Sequence, residues 1–202
     1  SAIYGTRGSN GVILVTTKKG ARDGNLHTTY TGTVSFDVIK RELDMLSADE
    51  YRANRLASGV GYDLGGSVDW LDAVSRVGVR TQHSLSLSGG SARSNYRVSA
   101  DYRSANGIDL YSGREEYGAR VALNHTTKGG LITFSLNVAP RVAYRKNASW
   151  DVFRNAVEAN PTTPIMDPKD PSLYYNFKGQ AAGYNPLELL KKDKSTGTTK
   201  LL

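Results

Sequence analysis

The sequence contains no cysteine. Disulfide frameworks, thiolate chemistry and cysteine-based metal sites are therefore excluded. Long apolar runs are also absent: no stretch of about 18 or more apolar residues occurs, so the sequence predicts no membrane-spanning helix. The three histidines, His27, His83 and His125, lie on different segments without the spacing of a metal site. We therefore expect neither a metal ion nor another cofactor.

Patterns that indicate catalysis are equally scarce. Glu115 and Glu116 are adjacent, and adjacent residues of a strand point to opposite faces, so they cannot form an acid–base pair. No Gly-x-Ser-x-Gly nucleophile motif occurs. The glycines Gly5, Gly8 and Gly11 precede a strand, whereas a phosphate-binding loop follows a strand and opens a helix. The sequence predicts a protein that is not an enzyme.

The charge balance is basic, with 26 Lys and Arg against 19 Asp and Glu and a net charge of +7. Such a balance can indicate nucleic acid or anionic lipid as a partner. Here the arginines of the middle of the chain, such as Arg80, Arg97 and Arg103, are scattered singly. No basic stripe or known nucleic-acid module accompanies them. We expect no nucleic-acid partner.

The first twenty residues combine tight turns with one strand. Residues 1–11 hold three glycines and an Asn-Gly pair, which are typical of turns. Residues 12–17 are mostly β-branched and end at Lys18-Lys19-Gly20, so they predict a short buried strand. The polar segment 21–25 marks the first boundary.

From Thr29 onward the pattern changes to strict alternation of apolar and polar residues. Four further alternating segments follow, at 79–88, 96–103, 117–124 and 132–139. Their connections are rich in glycine, serine and asparagine, as in hairpins. The sequence predicts a mainly β fold in which these strands form an antiparallel meander.

Helical insertions interrupt the strands. Ser47 and Glu50 form a capping-box pattern that predicts a helix near 47–58, and 69–74 predicts a short helical turn. Residues 149–158 predict another helix with Ser149 as its cap. Five of the six prolines then fall in the 146–202 segment, which we interpret as a long structured loop. Its aromatics can pack within the loop or stack on sugar rings in a vestibule: Trp150, Tyr174, Tyr175 and Tyr184.

Alternation alone fits two architectures. A soluble β domain turns its apolar face to a core, whereas a transmembrane barrel turns that face to lipid and lines its lumen with the polar face. Two features favour the barrel. The segments have the length of about nine to eleven residues that crosses a bilayer at a tilt. Aromatics also lie near segment ends, as an interfacial girdle requires: Tyr30, Tyr96, Tyr102 and Tyr117.

The string AIYGTRGSNGVILVTTKKG at residues 2–20 resembles the segment that closes the plug domain of TonB-dependent outer-membrane receptors. Its Thr-Thr-Lys-Lys-Gly ending is similar to the SusC/RagA branch of the Bacteroidetes. Segments 46–51, 69–70 and 83–90 agree with that branch in order and spacing, as does the Asn95-Tyr96 pair. The resemblance assigns a structural or coupling role to the plug-closing motif: Tyr4, Gly5, Arg7, Gly8, Asn10 and Gly11.

The resemblance implies a barrel of about 22 strands with the plug folded inside. Such proteins import glycans or peptides across the outer membrane, are powered by TonB acting on the plug, and work with a SusD-like surface lipoprotein. We accordingly expect three parts: 1–20 as the end of the plug, 21–145 as the first barrel strands, and 146–202 as a long loop. The alternative is a soluble or secreted β-rich binding module without a transport role.

Both ends of the sequence look cut, so we expect a piece of a longer protein. Most of a plug and most of a barrel would lie elsewhere. Import would therefore be a property of the whole receptor, embedded in outer-membrane lipid, and not of these residues alone.

Arg7 provides the first test. If this guanidinium couples the plug to the barrel wall through carboxylates or carbonyls, Arg7→Ala in a full-length receptor should reduce substrate uptake while the receptor still folds. Uptake by whole cells and the amount of folded receptor are the two measurements. Unchanged uptake with normal folding would reduce Arg7 to an ordinary turn residue.

Overall fold

The computed structural model of the chain describes residues 11, 18–40, 43–192 and 194–201. Most of the plug-closing motif, namely Tyr4, Gly5, Arg7, Gly8 and Asn10, lies outside these residues. Gly11 is described, and its φ of +95° is a left-handed conformation that glycine adopts without strain. The role assigned to the motif stays a prediction.

The described strands form one seven-stranded sheet. Its order is β1-β2-β3-β4-β6-β7, and β5 also pairs with β4. The predicted antiparallel meander and mainly β fold are confirmed. The strand bounds are β1 His27–Asp37, β2 Gly78–Gly90, β3 Ser94–Asn106, β4 Gly113–Thr126, β5 Thr133–Val138, β6 Arg141–Ala148 and β7 Lys194–Leu201.

Strands β5 and β6 follow one register along β4. Val138 lies opposite Val121, and Arg141 lies opposite Gly118, so the pairing passes through Pro140 without a slip. The Pro140 carbonyl still accepts a hydrogen bond from the Ala119 amide at 3.1 Å. Proline removes only a donor. The alternating segment predicted at 132–139 ends just before this residue, and the sequence analysis did not identify β6 as a separate strand.

The last strand was also missed. β7 pairs with β6 along its whole length, from Ala148 opposite Lys194 to Arg141 opposite Leu201. Its sequence is polar and contains Gly197, so no alternation marks it. Its ladder to β6 defines it instead. The non-strand part of the predicted 146–202 loop thus begins after Ala148 and ends before Lys194.

By internal contacts the chain divides into two compact units. The first comprises Ser1–Thr29, Ser86–Ser99 and Arg120–Val138, and the second comprises Tyr30–Leu85, Ala100–Ala119 and Ala139–Leu202. The first unit contains the short turns 91–93 and 127–132. The second contains the connections 107–112 and those that carry the helices.

The helices belong to the second unit and come from two connections, 43–77 and 149–192, which we call the helical cluster. Helix α1 (Ala48–Tyr51) continues directly into a π-helix (Arg52–Leu56), and α2 spans Trp70–Val74. Helix α3 spans Asp151–Glu158 and α4 spans Pro186–Lys192. Among the helices that the structure describes, none is long and apolar enough to cross a membrane.

The predicted capping box is present at the start of α1. The Ser47 hydroxyl accepts from the Glu50 amide at 3.3 Å, and the Glu50 carboxylate accepts from the Ser47 amide at 2.9 Å. At α3 the N-cap is Trp150, one residue after the predicted Ser149. The Ser149 hydroxyl still accepts a hydrogen bond from the Asp151 amide at 3.3 Å.

A small apolar core joins the two connections of the helical cluster. Trp70 is 3% exposed and meets the Phe177 ring edge-on, with 5.4 Å between centroids. Its indole nitrogen donates to the Asn160 carbonyl at 3.2 Å. The other buried members are Val74, Val152, Ala156, Ala159, Ala182 and Leu190.

Asn160 connects the two segments through polar contacts as well. Its side-chain amide donates to the Tyr62 carbonyl at 3.0 Å and to the Tyr51 hydroxyl at 3.3 Å. Thr162, which is fully buried, donates from its hydroxyl to the Asn160 side-chain oxygen at 2.9 Å and accepts from the Leu64 amide at 3.2 Å. Because each segment supplies the other's partners, neither could keep these groups satisfied alone.

The two tryptophans form a matched pair for testing this core. Trp70→Ala in a full-length receptor should destabilise the helical cluster by about 3–5 kcal/mol, because it removes a large buried side chain and leaves a cavity. Trp150→Ala should have little effect on stability, since Trp150 is 89% exposed. Limited proteolysis within 43–77 and 149–192 would measure the difference, and equal susceptibility of the two variants would contradict the core assignment.

Candidate functional site

The sheet exposes its apolar side chains and buries polar side chains on the opposite face, which is the reverse of a soluble protein. Large apolar residues are on the exposed face, with Phe36 at 67%, Leu85 at 47% and Phe134 at 56%. On the opposite face, polar side chains are buried, among them Ser86, Asn95 and Glu116. A soluble sandwich would bury the first set and solvate the second. We call the polar face the inner wall.

In the first unit the inner wall is held by a ladder of side-chain hydrogen bonds. The Asn124 side-chain Nδ2 donates to the Asn95 Oδ1 at 3.1 Å, and the Ser135 hydroxyl donates to the Asn124 Oδ1 at 3.0 Å. Arg97 donates to the Ser86 hydroxyl at 3.0 Å. Each contact joins neighbouring strands, so the polar groups satisfy one another.

In the second unit the inner wall carries charge. Glu116 is 3% exposed, and its carboxylate pairs with Arg114 on its own strand and with Arg103 on β3 at 3.5 Å. Arg103 also donates to Gln82 on β2 at 3.2 Å. Asp37 pairs with Arg80 at 2.7 Å. A buried carboxylate is tolerated here because two guanidinium groups compensate it.

Gly118 gives Asp101 room to reach across a strand. Arg141 lies directly opposite Gly118 on β6, and its guanidinium comes within 3.8 Å of the Asp101 carboxylate on β3. A Cβ atom at position 118 would collide with the Asp101 carboxylate. The missing side chain therefore opens the space that the carboxylate occupies.

The exposed face of the second unit carries a row of aromatic rings. Each ring lies within 6.5 Å of the next, between centroids, and each belongs to a different strand. The Tyr30 hydroxyl and the His83 Nδ1 atom are also 2.7 Å apart. The sequence had identified three of the members, and the strand pairing adds His83 and Tyr144. The full row is Tyr30, His83, Tyr102, Tyr117 and Tyr144.

The segment that leads into β1 is fastened to the β2–β3 hairpin within the first unit. The Gly24 amide donates to the Gly90 carbonyl at 2.9 Å. Cβ atoms at Gly20 and Gly90 would collide with the carbonyl oxygens of Tyr96 and Ser94. Only glycine permits this close approach of the backbones.

The 107–112 connection between β3 and β4 is fixed by Arg76 and Asp109. Arg76 donates to the carbonyl groups of Gly107 at 3.1 Å and Ser112 at 2.9 Å. Asp109 is buried, which raises the pKa of its carboxyl group, but hydrogen bonds from the Ser112 hydroxyl and amide and the Tyr111 amide outweigh this. The net pKa of Asp109 lies below its ordinary value.

The four predicted vestibule aromatics have different surroundings in the structure. Trp150 and Tyr184 are exposed, at 89% and 65%. Tyr175 packs against the core of the helical cluster, 6.4 Å from the Phe177 ring. The Lys191 ammonium lies 4.8 Å from the centre of the Tyr174 ring. Their role in binding sugar stays a prediction.

Two cavities adjoin the helical cluster. One, of about 640 Å³, lies between its two segments and is lined by Tyr51, Tyr62 and Trp70. The other, of about 670 Å³, is mostly apolar and is lined by Leu71, Ile108, Trp150 and Phe153. Of the predicted vestibule aromatics, Trp150 lines a cavity.

Two of the three histidines, His83 and His125, make contacts between strands, and His27 contacts Asp23 four residues earlier in the chain. No set of three or more His, Asp or Glu side chains converges within the part of the chain that the structure describes. His83 belongs to the aromatic row, and His125 contacts the Ser94 hydroxyl at 2.7 Å. Both contacts help to hold neighbouring strands in register.

Gly118 and Gly197 allow a matched test of the inner wall. Gly118→Ala should destabilise a full-length receptor by less than about 1 kcal/mol, because the new methyl group displaces the flexible, partly exposed Asp101 carboxylate and separates it from Arg141. Gly197→Ala is the control, since nothing lies within 4 Å of its would-be Cβ atom. Denaturant midpoints of the two variants in detergent would measure this. Equal midpoints would contradict the assigned role of Gly118.

Asp109 predicts a pH dependence of the 107–112 connection. The folded-state pKa of Asp109 is lowered, so its charged carboxylate stabilises the connection. This stabilisation is fully present above the ordinary pKa of about 3.9 and is lost as the pH falls through the lowered folded-state pKa. Hydrogen-exchange protection of the Tyr111 and Ser112 amides should fall over that range. In an Asp109→Asn variant this titration should vanish, and an unchanged pH profile would contradict the assignment.

Comparison with known proteins agrees with this architecture. The chain is 37% identical over 186 residues to the TonB-dependent receptor SusC of Bacteroides thetaiotaomicron, which covers 89% of this chain and 18% of SusC. It is 37% identical over 121 residues to TonB-dependent receptor P3 of Formosa agariphila, covering 58% of the chain and 12% of that receptor. No protein-family model matches.

A solved structure shares the fold. The RagAB peptide transporter superposes with a TM-score of 0.57 at 22% identity, over 71% of this chain and 20% of that one. The chain spans no more than about a fifth of the length of these relatives. They are receptors and a transporter, which fits the expectation that the chain is not an enzyme.

Alternating strands with an exposed apolar face, a fold shared with the RagAB transporter and sequence similarity over 89% of the chain lead to one conclusion. The predicted resemblance is confirmed: the chain is a segment of the SusC/RagA-like TonB-dependent receptors, which reside in the bacterial outer membrane.

Proposed function

We propose that the chain forms part of the barrel wall of an outer-membrane importer. The observation that supports this best is the inverted sheet, in which apolar residues such as Phe36 and Phe134 are exposed while Ser86, Asn95 and Glu116 are buried. Lipid would cover the apolar face, and the inner wall would line the lumen. Backbone groups in the membrane would be satisfied by the strand ladders.

The lengths of the connections support an orientation. Outer-membrane barrels have short periplasmic turns and longer external loops. The turns 91–93 and 127–132 would then lie on the periplasmic side. The 107–112 connection and the helical cluster would lie outside the cell, where substrate arrives.

The 1–20 segment would close the plug inside this barrel. The motif of Tyr4, Gly5, Arg7, Gly8, Asn10 and Gly11 would join the plug to the wall, and TonB would act on parts of the plug beyond this chain. The hydrogen bond from the Gly24 amide to the Gly90 carbonyl supports a fixed attachment point where the plug gives way to β1.

A SusD-like lipoprotein would bind on the external side and deliver a glycan or a peptide. RagAB, which shares the fold, is a peptide transporter, and this supports a peptide as one substrate class. The exposed rings of Trp150 and Tyr184, together with Tyr174 and Tyr175, would contact substrate in the vestibule. Aromatic rings stack well on sugar rings and on peptide side chains alike.

The alternative, a soluble or secreted β-rich binding module, meets a physical difficulty. It would leave large apolar side chains such as Phe134 in water on a continuous face. Contiguous exposed apolar patches of this kind are rare on soluble monomers and mark interaction or membrane surfaces.

Two adjacent residues of β5 distinguish the proposals. Leu136→Arg puts a charge on the apolar face and should cost about 2–4 kcal/mol near the bilayer centre, so less folded receptor should reach the outer membrane. Asn137→Arg puts the same charge on the inner wall and should leave the amount of folded receptor unchanged. Heat-modifiable mobility in gels of outer-membrane fractions is the measurement, and equal tolerance of both variants would favour the soluble module.

Import itself requires a second measurement. Deleting the full-length receptor gene should abolish growth on the oligosaccharide or peptide that it imports, and the intact gene should restore it. A deletion strain that grows normally on every carbon source tested would contradict an import role.

A further inference from the structure

The inner wall of the second unit carries more positive charge than its own carboxylates compensate. Strands β3, β4 and β6 place four arginines on this face together with the carboxylates of Glu116 and Asp101; three of the arginines pair with these carboxylates, and the fourth is placed by strand register. They share the polar face because they follow the alternation of the strands. We call them the arginine cluster: Arg103, Arg114, Arg141 and Arg145.

Two members of the cluster oppose each other directly. Arg114 on β4 lies in register with Arg145 on β6. Like charges at directly opposed positions of a sheet are destabilising. Arg114 has Glu116 as its partner. Among the described residues, no carboxylate lies within ion-pair distance of Arg145.

The positive groups are accessible, while the central carboxylate is not. The side chains of Arg103, Arg114 and Arg141 are 49%, 44% and 47% exposed, whereas the side chain of Glu116 is 4% exposed. Glu116 therefore fixes two guanidinium groups, and although Arg103 also donates to Gln82, both groups keep an exposed side. Guanidinium groups bind carboxylate and sulfate groups through paired hydrogen bonds.

Glycines leave space beside the cluster. Arg145 lies opposite Gly197 on β7, and nothing lies within 4 Å of a would-be Cβ atom there. Arg141 lies opposite Gly118. The space over Gly118 is taken by Asp101, so the open space adjoins Arg145. An anionic group could therefore approach the unpaired guanidinium without displacing a side chain.

The plug-closing segment does not supply the missing negative charge. Residues 1–20 contain no Asp or Glu, and they add Arg7, Lys18 and Lys19. Since this segment increases the positive charge, compensation must come from another source. Because the guanidinium donors are accessible, we favour a substrate that passes along the wall as the source of the compensating negative charge.

We propose that the arginine cluster is a binding site for an acidic group of the imported substrate, a carboxylate or a sulfate ester, and that Arg145 is its principal contact. The substrate class is therefore an anionic oligomer. This inference rests on the proposed import function. The inner wall would then select substrates with negative charge.

The test uses a full-length receptor containing this segment, purified in detergent, and matched pairs of probes. Trigalacturonate and maltotriose are an acidic and a neutral trisaccharide, and tetraglutamate and tetraglutamine are the corresponding peptides. Isothermal titration should show tighter binding of an acidic probe than of its neutral partner. The acidic probe that binds identifies the substrate as a glycan or a peptide.

Arg145→Gln and Lys146→Gln are the variants. Lys146 is the next residue of β6 and points to the opposite face, so its replacement removes the same charge without touching the inner wall. Arg145→Gln should weaken binding of the acidic probe about tenfold, as expected for one lost charge-assisted contact. Lys146→Gln should leave it unchanged, and neutral probes should respond to neither.

The inference is overturned if acidic and neutral probes bind equally, or if the two variants have equal effects. It is also overturned if Arg145→Gln alone lowers the melting temperature, because Arg145 would then be a structural partner of the plug. Deletion of the receptor separates the two proposals. If the deletion strain loses uptake but the purified receptor binds acidic and neutral probes equally, import stands and the cluster is rejected as a site. If the purified receptor prefers acidic probes but its deletion changes uptake of nothing tested, import is rejected and the binding site is retained.

Discussion

Burial of polar side chains such as Ser86, Asn95 and Glu116 on the inner wall is the constraint on which the rest of this structure depends. A buried hydroxyl, amide or carboxylate costs free energy unless it finds a partner. Here the partners are on neighbouring strands: Asn95 with Asn124, Ser86 with Arg97, and Glu116 with two arginines. These contacts fix the register from the inside, while the opposite face makes mainly apolar and aromatic contacts.

Glycine enters this arrangement where backbones or carboxylates must come close. Gly118 admits the Asp101 side chain, and Gly20 and Gly90 admit the approach of the leading segment to the hairpin. In each case a methyl group would collide with a polar atom of a neighbouring strand. Packing in this segment therefore requires glycine at these positions, because any side chain would block the close contact.

The helical cluster follows a different rule from the sheet. Trp70, Val74 and Val152 form an ordinary apolar core, and Asn160 and Thr162 join its two segments through hydrogen bonds. Segments distant in the chain thus form one body within the second unit. Such a body can present a stable surface to a partner or a substrate, which loops without a core could not do.

Much of this could be predicted from the sequence. Alternation located the first five strands, the Ser47–Glu50 pattern located a helix start, and the string at 2–20 indicated the receptor family. These features are local, because side-chain period and capping depend on residues a few positions apart. Tertiary structure alone decided that β5 and β6 continue one register through Pro140, that polar β7 is a strand, and that Arg103 and Arg114 meet at Glu116. Those outcomes depend on pairing between distant segments, whose energies no local pattern records.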